Sequence, residues 1–227
     1  MVLSARDPHS SQSSEALETL CRNYWYPLYA YVRRQGRNPH DAEDLTQAFF
    51  ARLLERNYLA DVDQAKGKFR SFLVAALKHF LANEWDHANA QKRGGGKTVI
   101  SIDVDAAENA YRFEPADSVS ADKIFERRWA MTLLDRTLQR LASEYESEGK
   151  IQLYEELKST ITGDQAGTAY ATIAKRLGSS EGAIKVAAHR LRQRYREVLR
   201  SEIAETVNTR EEVEEELRHL FSALSFS

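Results

Sequence analysis

The segment GSSEGAIKVAAHRLRQRYREVLR, Gly178 to Arg200, gathers the side chains best suited to meet a polyanion. From Lys185 to Arg200, Lys185 and five arginines stand against Glu197 alone, and such cations donate to phosphate and to the acceptor edge of guanine. At about 100° per residue, Ile184, Ala188, Leu191, Tyr195 and Val198 fall on one stripe, as in a helix packed on a core. Val186 falls opposite, among Lys185, His189, Arg190, Gln193 and Arg196. An apolar side chain in a basic face has a use in the DNA major groove, where it meets a thymine methyl. Lys185, Val186, His189 and Arg190 are thus candidate base contacts, and Arg192, Arg194 and Arg196 candidate phosphate contacts. The bland alternative is a solvated helix face.

Such a face needs a helix held at a fixed angle. Ser180 is suited to cap it, and Tyr170 to Leu177 with a turn at Gly178 supplies the preceding helix, the spacing of a helix-turn-helix. Helices over Phe125 to Tyr145 and Lys150 to Ile161 complete a second domain, 123–204. Upstream, helices over Glu15 to Gln35, from Pro39 (with Asn38 as N-cap) and over Lys68 to Ala90 make a first domain, 15–93. The stretch between, 94–122, mixes glycines and acids without a sustained period and reads as a flexible linker. Residues 1–14 read as a flexible N-terminus. In 205–227, Thr209 and Glu212 fit a capping box and Val213, Leu217, Leu220 and Leu224 form a helix stripe that needs a partner. The expected fold class is all-α: two small helical domains, a linker, and a C-terminal amphipathic helix.

Composition narrows the function. The chain has 227 residues, 42% hydrophobic and 29% charged, which suits one or two domains with real cores. No apolar run approaches the roughly 18 residues of a membrane span, and no signal peptide is visible, so the expected location is the cytoplasm and no membrane partner is expected. The net charge of −2 hides an asymmetry. The basic stretch ending at Arg200 is followed by six glutamates between Glu205 and Glu216, which points to one localised polyanion site. Cys21, the single cysteine, excludes an internal disulfide and a Cys-rich zinc site.

Enzymatic signals are weak. GGGKT resembles the end of a P-loop, but Gln91 stands where that motif opens with glycine, and the segment follows a helix instead of a strand. His79, Asn83 and Asp86 share a helix face, yet no cysteine or second carboxylate joins them as a metal site. No catalytic residue, metal or cofactor is expected.

The first domain carries NPHDAEDLTQAFFARLLE. Ala42, Leu45, Phe49 and Leu53 form its buried stripe, leaving Glu43, Asp44, Gln47, Phe50 and Leu54 outward in an interface pattern. Together with YATIAKRLGSSEGAIKVAAHRLRQRYREVL downstream, this segment makes the chain resemble a bacterial RNA polymerase sigma factor of the extracytoplasmic-function class, in the sigma-70 family. The resemblance covers roughly residues 15–92 and 123–204. It implies a promoter-melting domain, a linker and a domain that reads the minus-thirty-five element, working as a subunit of RNA polymerase, which does the chemistry. Asp41, Glu43, Asp44, Gln47 and Phe50 would then face core polymerase, though Asp41 and Glu43 also suit the helix dipole. Lys68, Phe69 and Asn83 match the pocket for a base flipped from the minus-ten element, with Arg70, Lys78, Lys92 and Arg93 as phosphate contacts. Phe69 and Phe72 fit a stacking role or a core role equally.

Core polymerase and promoter DNA are therefore the expected partners, with an anti-sigma factor or another regulator as a further one. The sequence departs from the family pattern in ASEYESEGKIQLYEELKSTITGDQAGTAY, before the helix-turn-helix, and in the tail after Ala204. That tail either packs on the second domain, setting its glutamates against Arg192, Arg194 and Arg196, or completes a core or pairs with another chain. A stand-alone helix-turn-helix repressor or activator is the competing reading of the whole chain, and it leaves the acidic face Asp41 to Gln47 without a use.

Overall fold

Residues that start and stop helices set the element order. The computed structural model describes residues 11–55, 69–88, 104–112, 119–161 and 170–225. Among them are nine α-helices and no strand. These are α1 (Ser11–Arg34), α2 (Pro39–Glu55), α3 (Phe69–Ala88), α4 (Val104–Tyr111), α5 (Ala121–Ser147), α6 (Ile151–Leu157), α7 (Tyr170–Arg176), α8 (Glu181–Ala204) and α9 (Arg210–Leu224), with a 3₁₀ turn, Lys158–Thr160, after α6. No described helix is long and apolar enough to cross a membrane.

The ends follow local chemistry. The Asn38 side chain accepts from the Asp41 amide at 2.8 Å and Pro39 opens α2, where its missing N–H costs nothing. The Ser180 hydroxyl accepts from the Ala183 amide at 3.2 Å. Thr209 and Glu212 close the capping box of α9. Between α7 and α8, Gly178 adopts φ 61°, and the amides of Gly178 and Ser179 reach back to the carbonyls of Lys175 and Ala174 at 3.4 and 2.8 Å. This left-handed stop suits glycine and turns the chain into the second helix of the pair.

Residues 1–132 with 203–227 form one compact unit and residues 133–202 another, and both boundaries fall inside helices, α5 and α8. In the first unit, Leu28, Leu73 and Leu77 are fully buried, with Trp25 stacked on Tyr29 at 4.9 Å and Phe49 meeting Phe80 edge-on at 5.7 Å. In the second, Leu141, Tyr154, Leu157 and Ile173 enclose Ile184, Ala188 and Leu191 of α8.

One expectation changes here, and one left open is decided. Part of the stretch read as flexible linker is helical: α4 buries Ala107, and Glu108 bonds to α1. Eight residues are too few to display a period, so only tertiary contact reveals the helix. Of the placements open to the tail, completion of a core is the one seen: it belongs to the first unit, where α9 buries Val213, Leu217 and Leu220.

Candidate nucleic-acid interface

The buried stripe of α8 is Ile184, Ala188, Leu191 and Val198, so the opposite face is set by rotation. Lys185, Val186, His189 and Arg190 all lie exposed, and Val186 keeps 52% of its surface in water. Lys185 pairs with Glu181 at 2.7 Å one turn earlier, an exposed and hence weak contact. Arg196 is exposed and Arg192 half-buried.

Arg194, an expected phosphate contact, is already engaged within the protein. Its Nε and Nη2 donate to both oxygens of Glu144 at 2.8 Å, and Nη1 donates to Glu197 at 3.1 Å. The Arg194 hydrogen bonds hold the Glu144 carboxyl below its ordinary range despite partial burial. Arg194 thereby ties α8 to α5 within the second unit. Glu202, also buried there, takes Arg140 at 2.8 Å and Arg136 at 2.6 Å.

On α2, Asp41 and Asp44 are exposed and Glu43 and Gln47 half-buried. The four are already organised: Asn38 donates to Asp41 at 2.9 Å, His40 lies 3.2 Å from Asp44, and Gln47 donates to Glu43 at 3.1 Å. Phe50 does not belong to this face. It is 0% exposed and meets Phe49 edge-on, because the buried arc of α2 is wider than the expected stripe and runs through Ala42, Thr46, Phe49, Phe50 and Leu53. The Thr46 hydroxyl donates to the Ala42 carbonyl at 2.7 Å, so this polar group enters the core satisfied.

On α3 the expected residues separate. Phe69, 2% exposed, packs edge-on against Tyr24 at 5.4 Å with Phe72 at 6.1 Å, which makes it core instead of a stacking platform. Arg70 is buried as well: Glu216 accepts from Nε and Nη2 at 3.2 and 3.0 Å, and Glu126 takes Nη1. Burial alone would lower the pKa of the guanidinium, and the hydrogen bonds and charge of Glu216 and Glu126 raise it instead. Lys78 pairs with Asp122 at 2.7 Å. Asn83 stays exposed at the rim of an apolar cavity of about 370 Å³ between α2 and α3, walled by Phe49, Phe72 and Phe80 with Arg52 and His79 beside them. Lys68, Lys92 and Arg93 lie outside the described residues.

Sequence reasoning missed Glu144, Glu126 and Glu216. A signal did exist for the last, because a glutamate between Val213 and Leu217 on a buried stripe calls for a cation.

Residues 21–90 match the family model Sigma-70 region 2, a stretch that takes in α1 from Cys21 onward, α2 and α3. No curated protein and no solved structure matches the chain. The part of the protein similar to sigma-70 region 2 is thus the helical segment that carries the α2 face and the cavity between α2 and α3.

Proposed function

We propose that this protein is a sigma factor of the extracytoplasmic-function class. Its α2 face, Asp41, Glu43, Asp44 and Gln47, docks on core polymerase. The α3 region with Asn83 and its cavity holds a base of the melted minus-ten element. Lys185, Val186, His189 and Arg190 on α8 read the minus-thirty-five element in the major groove, with Arg196 and Arg192 toward phosphate. Polymerase performs the chemistry, and these partners put the protein in the cytoplasm. An anti-sigma factor or another regulator would act by covering one of these surfaces.

The observation that carries this reading is the region 2 match at residues 21–90 in the same chain as a glycine-turned helix pair, α7 and α8. An aromatic-walled cavity of about 370 Å³ also supports base capture, since its walls offer stacking to a single unpaired base.

The test is reconstitution. The purified chain is mixed with core polymerase, and transcription is mapped on fragmented genomic DNA. Coelution with core enzyme and start sites that depend on the added chain are expected. A chain that ignores core polymerase yet binds duplex DNA by itself is a stand-alone regulator, and the proposal fails.

A further inference from the structure

Glu216 stands on the inner face of α9 among Val213, Leu217 and Leu220, and it is 1% exposed. A charge there needs compensation, and Arg70 of α3 supplies it through two hydrogen bonds at 3.2 and 3.0 Å. Glu126 of α5 takes the remaining guanidinium nitrogen. His219, one turn beyond Glu216, lies 2.6 Å from the other oxygen of Glu126. The Trp129 ring covers the guanidinium at 4.9 Å from its centroid. All three nitrogens of Arg70 are therefore engaged, and α9 contributes through both Glu216 and His219.

This is an expensive way to join helices. Burying a charge pair costs so much desolvation that apolar residues of like volume do as well or better. What the pair does provide is chemical mimicry. A planar carboxylate offering two oxygens to a guanidinium fork occupies the geometry that a phosphate takes. Five residues, 205–209, separate α8 from α9, so α9 stays tethered when it lifts and returns as an intramolecular event.

We propose that α9 is a cover for the nucleic-acid site of the first unit, in which Glu216 holds the place of a DNA phosphate on Arg70 until α9 lifts away. The proposal rests on the reading of α3 as facing melted promoter DNA. It replaces masking of the helix-turn-helix arginines by the tail with masking of α3.

Full-length wild type, Glu216→Gln, Arg70→Gln and the double variant are titrated with a short fluorescein-labelled single-stranded oligonucleotide of mixed sequence, from low to physiological salt. Glu216→Gln should bind roughly threefold more tightly or better at low salt, with a salt slope steeper by about 0.7, the increment of one further phosphate contact on a single strand. The double variant should bind as Arg70→Gln does. No gain in Glu216→Gln, or a gain that survives in the double variant, overturns the cover.

Wild type gives a second readout that needs no substitution. Amide hydrogen exchange in α9 should accelerate when excess oligonucleotide is added, and α9 amides that keep full protection in the DNA-bound protein overturn the proposal whatever the variants do. Affinity for core polymerase is measured on the same proteins. A chain that does not bind core enzyme removes the sigma-factor reading, while the oligonucleotide and exchange comparisons still decide the role of α9.

Discussion

Glu108 of α4 closes on Arg33 of α1, with Nε and Nη2 of the arginine 2.5 and 3.1 Å from its two oxygens. The Tyr29 hydroxyl donates to the same carboxylate at 2.5 Å, and the Tyr111 ring lies 4.7 Å from the Arg33 guanidinium. One short helix is thus anchored at both ends of its last turn, by Glu108 and by Tyr111.

The anchor should be acid-sensitive. The Arg33 hydrogen bond, followed by that of Tyr29, holds the Glu108 carboxyl below its ordinary 4.5 against the opposing effect of burial. A carboxyl whose folded value is depressed contributes stability fully above 4.5, and that contribution is lost as pH falls through the lowered folded value. Glu108→Gln should cost about 1.5 to 3 kcal/mol near neutrality, the range for a hydrogen bond to a charged group. The difference from wild type should shrink in acid. Urea unfolding across this pH range checks it, and a pH-independent difference contradicts the ion-pair account.

Phe50 and its neighbours on α2 should divide cleanly between stability and binding. Phe50→Ala leaves a hole in the first unit and should destabilise it by about 3 to 5 kcal/mol. Asp44→Ala with Gln47→Ala should change stability by no more than about 0.5 kcal/mol each, since neither is buried, and should weaken association with core polymerase. Thermal unfolding and a core-enzyme titration separate the two effects. Unchanged polymerase affinity in the double variant removes this face from the interface.

Val186 and Arg190 carry the base-reading prediction. Val186→Ser should leave folding intact, because the side chain is 52% exposed, and should reduce preference for thymine at one promoter position. Arg190→Ala should cost about 1 to 3 kcal/mol at a single base pair if it grips guanine through two hydrogen bonds. Binding is measured on a set of single-base promoter variants. Equal loss on all of them assigns Arg190 to phosphate.

Arg194 and Arg196 should differ although they sit two residues apart. Arg196→Ala should lower the salt slope of duplex DNA binding by about 1, as expected for one phosphate contact. Arg194→Ala should change that slope less, because Arg194 has to leave Glu144 and Glu197 before it can reach DNA. Equal changes in slope would show that the Glu144 pairing yields freely to DNA.

Local features were legible in the sequence because local geometry creates them. The caps at Asn38, Ser180 and Thr209, the glycine turn at Gly178 and the outward angle of Val186 each depend on residues within one or two helical turns. Helical periodicity identifies the centre of a buried face and leaves its width open. That width depends on how many neighbours pack against the helix, which is why Phe50 and Phe69 prove to be core. Ion pairs were beyond reach for a related reason. Every carboxylate is a plausible partner for every arginine until folding brings them together, and only the tertiary structure joined Arg33 to Glu108, Arg194 to Glu144 and Arg70 to Glu216. The amphipathic stripe of α9 showed that the tail must bury a face, and the long-range charge match between Glu216 and Arg70 goes with a place in the first unit.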